Sequence, residues 1–308
     1  MIPSVIDELE EKELLQSSDG AQCVFVEGFV NREGNPLPLM IRKSDGGYTY
    51  DTTDITALFF RVRQEHVHRI IYVTDSGQAS HFQMVFQVAE KAGVVDRNLV
   101  RLDHVPFGLV LGPDGKKFRT RSGETERLVD LLEAAVTKAK AILREKNPDW
   151  DDDEVARVGH ILGVGAIKYA DLSSHRLSDY LFSYDRMLRF EGNTAAFIMY
   201  SYVRTESIQR KVGLVVSSDL YLEHPSEVAL SKLLCRFPEV LDDVMESLLP
   251  NRLTEYLYAL AESFNAFFRD CRVEGDARQN ERLCLVQLTG SMLKAGLQLL
   301  GISVPDKM

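Results

Sequence analysis

The 308 residues read as an α/β unit followed by an all-α unit, and three observations carry that reading. Up to about residue 110, strand-like and helix-like segments alternate, the pattern of βαβ units around a parallel sheet. After about residue 122 the apolar residues recur at helical spacing throughout. The chain is 45% hydrophobic and 27% charged, an ordinary globular composition at a length that accommodates two domains.

In chain order, VIDELEEKELL is helical by the spacing of Val5, Leu9, Leu14 and Leu15. CVFVE and PLMIRK are short strands on either side of the turn-rich NREGNP. DITALFFRVRQE reads as helix, RIIYVTD as buried strand, HFQMVFQVAEKAG as a helix ending in Gly93, and LVRLDHV as strand. Asp75 and Gly77 follow RIIYVTD directly, at the carboxyl end of a strand where open α/β sheets bind their ligands. ERLVDLLEAAVTKAKAILREK is one long amphipathic helix stopped by Asn147 and Pro148. The acidic run from Asp149 to Glu154 is a solvated loop and the start of a further helix. Helices are then expected in DEVARVGHILGVGAIKYADL, TAAFIMYSYVRTESIQRK, EVALSKLLCRF, LTEYLYALAESFNAFFRDC and ERLCLVQLTGSMLKAGLQLLG. In the fourth of these, Leu253, Tyr256, Leu257, Leu260, Phe264, Phe267 and Phe268 form the apolar stripe.

A net charge of −10 excludes nonspecific polyanion binding by the molecule as a whole, so any nucleic-acid contact rests on local basic surface. Cys23, Cys235, Cys271 and Cys284 form no CxxC pair and no zinc-like spacing with histidine, which predicts a reduced protein without a structural metal. Cys235, Cys271 and Cys284 sit in apolar helical contexts and are expected to be small buried side chains. MIPSVIDELEEKELL lacks the basic start and apolar stretch of a signal peptide, and its acidic residues oppose a transit peptide. No segment approaches the ~18 apolar residues of a membrane span, and a soluble cytoplasmic protein is expected.

Three constellations carry chemistry. KKFRTRSGET (116–125) places Lys116, Lys117, Arg119 and Arg121 just after LGPDG in an otherwise acidic chain. Such a cluster suits a solvated loop, a nuclear address, a nucleic-acid patch or a loop that handles phosphate. Asp54 follows YDTT, four residues from Tyr50. It is either a helix N-cap or a carboxylate placed to grip a guanidinium, whose forked donors pair with two oxygens. Phe197 and Tyr200 lie one helical turn apart with Arg204 a further turn on, either a core stripe or a base-stacking face beside a phosphate contact.

At the level of whole segments the sequence resembles arginyl-tRNA synthetase, a class I aminoacyl-tRNA synthetase. The stretches that carry the resemblance are KSDGGYTYDTTD (43–54), RIIYVTDSGQASHFQMVF (69–86), FGLVLGPDGKKFRTRSGET (107–125), AIKYADLSSHRLSDYLFSYDRML (166–188), GNTAAFIMYSYVR (192–204) and GLQLLGISVPDKM (296–308). They occur in the family's order and cover nearly the full chain. The resemblance implies the second half of a Rossmann-type catalytic fold, with a KMSKS-like loop, over residues 1–125. A helical connecting region would follow over 126–188, and a helical-bundle anticodon-binding domain over 189–308. The implied activity is ATP-dependent attachment of arginine to tRNA(Arg) through arginyl-adenylate, with Mg2+ accompanying ATP and no structural metal, DNA or membrane partner.

By the same resemblance, Tyr50, Asp54 and Gln78 bind arginine, with Tyr48 a second choice of ring, and Gly77, His81 and Thr120 contact ATP. Lys117, Arg121 and Lys116 are the cations of the KMSKS-like loop, where Thr120 stands in place of the second lysine. Such cations stabilise charge that develops on the pyrophosphate leaving group. Phe197, Tyr200, Arg204, Phe268 and Met308 face the anticodon. Arg176 either touches the inner side of the tRNA or makes a surface salt bridge, and Asn193 is a structural N-cap. The family's HIGH-type motif does not precede the loop, and HILG at 160–163 lies inside a predicted helix as a packing stretch. The resemblance therefore implies a C-terminal portion, catalytically incomplete alone, with the N-terminal half of the same enzyme as its partner and an open sheet edge prone to association. The alternative is a non-catalytic tRNA-binding paralogue or split subunit.

Overall fold

A computed structural model describes residues 1–112, 114–116, 127–214 and 221–308. Contacts divide the chain into two units, Met1–Gly108 and Leu109–Met308.

In the first unit, α1 (Ile2–Glu11) buries Val5, Ile6 and Leu9. It stops before Leu14 and Leu15, which the spacing had counted as helical, because Glu13 takes a left-handed φ of 57°. The Leu14 amide then returns to the Leu9 carbonyl at 3.0 Å, and both leucines still pack partly buried on the core. β1 (Gln16–Ser18), β2 (Ala21–Val30) and β3 (Pro36–Arg42) form an antiparallel sheet in that order. α2 (Tyr50–Arg63), β4 (Arg69–Asp75), a single 3-10 turn (Ser76–Gln78), α3 (Ala79–Lys91) and β5 (Arg101–Phe107) follow. β4 and β5 run parallel, from the pair Arg69 and Arg101 to the pair Asp75 and Phe107, so β4–α3–β5 is the expected βαβ unit. β4 is buried on one face only. Ile70 is buried, whereas Ile71 and Val73 are 44% and 62% exposed, so the expectation of a fully buried strand does not hold.

In the second unit a short parallel pair, β6 (Val110–Leu111) with β7 (Tyr180–Leu181), interrupts the expected all-helical run. The helices are α4 (Leu128–Lys146), α5 (Asp152–Ser173), α6 (Tyr184–Met187), α7 (Ala195–Val212), α8 (Pro225–Cys235), α9 (Phe237–Ser247), α10 (Asn251–Asp270) and α11 (Gln279–Leu299). α4 ends at Asn147 as expected, and Asp151 caps α5 by accepting the Glu154 amide at 2.7 Å. α9 was not anticipated. It fully buries none of its residues, but Phe237, Val240, Leu241 and Val244 line its inner face at helical spacing.

Within α5, the HILG stretch packs as expected: Leu162 is fully buried and His160 is exposed. A Cβ added at Gly163 would sit 2.6 Å from the Val136 Cα, so α4 and α5 touch backbone to backbone there. Along α10 the expected stripe is buried except Phe268, which is 40% exposed. Cys235 ends α8 on its solvent side and is exposed, contrary to expectation, while Cys271 is buried and Cys284 half-buried. Among the described residues no helix is long and apolar enough to cross a membrane, and no group of three or more His, Cys, Asp or Glu side chains is arranged to hold a metal ion.

Candidate functional site

The first candidate site grows from the start of α2. Thr49 is its N-cap, in extended backbone with φ −114°, and its hydroxyl accepts the Thr52 amide at 3.4 Å. The Thr52 hydroxyl accepts the Thr49 amide in return at 3.2 Å, a reciprocal capping box. The capping reading of Asp54 is therefore corrected: Asp54 lies one turn inside the helix and its carboxylate is not used on the backbone amides of the first turn. It meets His81 of α3 instead.

His81 Nε2 donates to Asp54 Oδ2 at 2.7 Å, and His81 Nδ1 lies 3.1 Å from Asp51 Oδ1. Asp51 Oδ2 also accepts the Met40 amide of β3 at 3.0 Å. Hydrogen bonds to Asp51 and then Asp54 push the His81 pKa up to about 9, against the opposing effect of burial. At neutral pH the ring is an imidazolium that bridges two carboxylates, and the trio carries one net negative charge. Phe82 packs edge-on against the His81 ring at 4.9 Å and stacks on His104 at 5.2 Å.

Asp75 turns back to accept the Gly77 amide at 2.8 Å, and a Cβ at Gly77 would come within 2.8 Å of the same oxygen, so a larger residue there would push the Asp75 carboxylate aside. Gln78 ends the turn and is exposed, just before the helix that carries His81. Tyr50 is the first residue of α2 and is 87% exposed, and Tyr48 is 44% exposed. The structure thus joins Asp54 directly to His81, which the family pattern assigns to different ligands. Asp51 went unnoticed in the sequence. Its signal is the spacing of three residues to Asp54, which puts both carboxylates on one helical face. Lys116, in the second unit, closes a tight turn: its carbonyl accepts the Gly112 amide at 2.7 Å, and its amide donates to Asp114 Oδ1 at 3.1 Å. Lys117, Arg119, Thr120 and Arg121 lie outside the described residues.

The second candidate site lies wholly in the helical unit. Tyr200 and Phe268, each 40% exposed, flank the Arg204 guanidinium at 4.9 Å and 5.0 Å from their ring centroids. Arg204 Nη1 donates to Asn265 Oδ1 at 2.7 Å and Nη2 to the Tyr200 hydroxyl at 3.3 Å, so the cation is held between two accessible rings. A groove of about 560 Å³ continues from Arg204 and Phe268 past Lys211, Arg269 and Arg272, in the size range of ligand clefts. These three cations and Asn265 were not singled out in the sequence.

Phe197 packs half-buried against Tyr258, ring centroids 5.6 Å apart. Met308 is half-buried on the helical core, and the tail before it is tied down by Asp306 to Arg157 at 2.6 Å and Lys307 to Glu154 at 2.5 Å. α7 is capped by Thr194, which accepts the Phe197 amide at 3.2 Å. Asn193, expected to be that cap, instead accepts the Tyr169 hydroxyl at 2.7 Å. Arg176 Nε donates to the Leu248 carbonyl at 3.1 Å.

Comparison with known proteins converges on one family. Residues 1–184 match the catalytic-domain model of the class I tRNA synthetases (R), and residues 198–308 match the DALR anticodon binding domain. The arginine–tRNA ligase of Protochlamydia amoebophila is 57% identical over 312 residues, covering 100% of this chain and 53% of that protein. The arginine–tRNA ligase of Synechocystis sp. is 48% identical and covers 100% of this chain and 54% of its own length. The chain thus spans about half the length of the curated relatives it matches. Arginyl-tRNA synthetase from Plasmodium falciparum superposes with a TM-score of 0.86 at 35% identity, over 100% of this chain and 52% of that one. The Thermus thermophilus enzyme, at 24% identity and a TM-score of 0.81, shares the fold. With a catalytic-domain match over its first 184 residues and an anticodon-domain match over its last part, the chain belongs to the arginyl-tRNA synthetase family of class I aminoacyl-tRNA synthetases.

Proposed function

We propose that this chain supplies the arginine pocket, the leaving-group loop and the anticodon-binding domain of an arginine–tRNA ligase that works in the cytoplasm on arginine, ATP with Mg2+, and tRNA(Arg). The observation that carries the reading is 57% identity to such a ligase along the whole chain. In that reaction the arginine carboxylate attacks the α-phosphorus of ATP, pyrophosphate leaves, and the arginyl group passes from the adenylate to the tRNA. Asp54 takes the guanidinium, with Tyr50 and Gln78 beside it. Its partly exposed carboxylate on a helix whose start is already capped by Thr49 supports that role. Gly77 and Thr120 are assigned to ATP, with His81 beside them although both of its ring nitrogens are engaged by Asp51 and Asp54, and Lys117, Arg121 and Lys116 are assigned to the charge that builds on the leaving phosphates.

Tyr200, Arg204 and Phe268 receive unpaired anticodon bases and backbone phosphate, supported by two exposed rings on either side of a held guanidinium. Phe197 and Met308, each half-buried against the helical core, complete that face. No HIGH-type motif precedes the loop within these residues, so the remaining half of the enzyme is the natural partner for catalysis. The half-length match also suits a second reading, a tRNA-binding chain without catalysis.

Two measurements test the proposal together. tRNA(Arg) binds the 308-residue chain, and Arg204→Ala or Tyr200→Ala weakens that binding by about tenfold; unchanged affinity in both variants removes the anticodon assignment. Arginine-dependent ATP–pyrophosphate exchange is undetectable with the chain alone and appears when the complementary half of a relative is added. Robust exchange by the chain alone refutes the need for that half, and no exchange on complementation favours the non-catalytic reading.

A further inference from the structure

The Asp51–His81–Asp54 bridge does more than join two helices. We propose that His81 is a positioning residue that fixes the plane of the Asp54 carboxylate and so sets its preference for a guanidinium over an ammonium group. The proposal rests on the reading of Asp54 as the arginine carboxylate and goes beyond it by naming what makes that carboxylate selective.

The argument starts from the carboxylate itself. Rotation about the terminal bond of an aspartate is soft, so an unsupported Asp54 presents its oxygens in a broad range of planes. An ammonium group is a compact point charge with three rotatable donors and tolerates that range. A guanidinium is a flat fork whose parallel N–H bonds need both oxygens in its own plane. Selectivity between the two cations therefore depends on whether the carboxylate plane is fixed.

In this structure it is fixed by a relay of contacts. The β3 backbone holds Asp51 through the Met40 amide at 3.0 Å. Asp51 holds His81 Nδ1 at 3.1 Å, and His81 Nε2 holds Asp54 Oδ2 at 2.7 Å. Phe82 packs on the ring at 4.9 Å and limits its rotation. Asp54 Oδ1 has no partner among the described residues and the side chain is 34% exposed, which leaves that oxygen and the remaining lone pair of Oδ2 unused by the protein. The trio's single net negative charge matches one cationic side chain.

The bond pattern requires both ring nitrogens to carry protons. A neutral imidazole has one N–H and must release one of the two carboxylates. The charged and titratable groups around the ring are few. On α2 they are Asp51 and Asp54, with Arg61 farther along and bonded to the Tyr72 hydroxyl of β4. From β5, His104 stacks on Phe82 and bonds Thr74. On β2 the Cys23 thiol feels the charge of Asp51, and Asp75 of the preceding turn is satisfied by Gly77. The two carboxylates dominate, and the proton leaves His81 near pH 9.

The test compares L-arginine with L-lysine on the 308-residue chain by calorimetric titration. The wild type prefers arginine, and Asp54→Asn abolishes binding. His81→Gln, checked to be folded by its thermal unfolding, lowers the arginine-to-lysine affinity ratio about tenfold, mainly by weakening arginine. Asp51→Asn lowers it part of the way. A folded His81→Gln protein with an unchanged ratio, or with both affinities reduced equally, overturns the positioning role while leaving the arginine pocket intact. A wild type that binds arginine no differently from Asp54→Asn overturns the pocket reading and the proposal with it. A 15N spectrum of the unliganded chain gives an independent check: two protonated His81 nitrogens at neutral pH support the relay, and a neutral ring refutes it.

Discussion

Raising the pH through about 9 removes the proton that lets His81 serve two carboxylates at once. The pKa is raised from 6.5, so the folded state holds this proton more tightly than the unfolded chain does. The resulting stability is fully present below about pH 6.5 and is lost as pH rises through about 9. It amounts to about 2 kcal/mol once solvent screening at the partly exposed carboxylates is allowed for. Urea midpoints of the wild type should fall between about pH 7 and pH 10, while those of His81→Gln stay nearly level. Asp54 and His81 stood out in the sequence, one at an expected helix start and the other just after a strand, while Asp51 did not. The contact itself was not legible, because His81 and Asp54 are 27 residues apart and only the packing of α3 on α2 brings them together. The helix start was misjudged for a related reason. YTYDTTD offers several side chains able to cap, and the choice fell to Thr49 because Thr52, three residues on, returns the bond.

Between elements, one buried carboxylate ties α8 to the first turn of α11. Glu227 is fully buried, and its oxygens accept from Arg282 Nε at 2.8 Å, Arg278 Nη1 at 3.0 Å and the Glu223 and His224 amides at 2.9 Å and 3.0 Å. Burial pushes its pKa up, but Arg282, the two backbone amides and Arg278 together outweigh that and hold it at about 2. The stability it provides is therefore present above its ordinary pKa of 4.5 and lost as pH falls toward about 2. Glu227→Gln leaves two arginines facing a neutral amide and should cost about 3 kcal/mol, read as a lowered thermal midpoint with α8 the first helix to lose amide-exchange protection. The long helices were legible because their apolar stripes are continuous. α9 escaped notice although Phe237, Val240, Leu241 and Val244 recur at helical spacing, because the helix spans only eleven residues and acids at 239, 242, 243 and 246 interrupt its stripe. β6 and β7 are two residues each, below the length at which alternation can register.

Across the whole chain, 36 basic and 46 acidic residues give a net charge of −10, so the RNA contact proposed above has to rest on local surface such as Arg204, Lys211, Arg269 and Arg272. The alternation of strands and helices announced the first unit, and helical periodicity announced the second. The exposure of β4 was hidden, because RIIYVTD has the composition of a core strand and nothing within it tells which neighbours will cover it. Ile71 and Val73 stand in solvent on a parallel sheet that has two strands among the described residues. Such a surface invites pairing. Light scattering should therefore show association that grows with protein concentration, and Val73→Lys should suppress it. A monomer at every concentration would refute this expectation.

The meeting of α4 and α5 at Gly163 has an evolutionary consequence. With backbone against backbone there, no neighbouring side chain can shrink to make room for a larger residue at position 163. Drift at that position is barred unless the whole helix moves, so in lineages descended from this chain the glycine should outlast most of the surface around it.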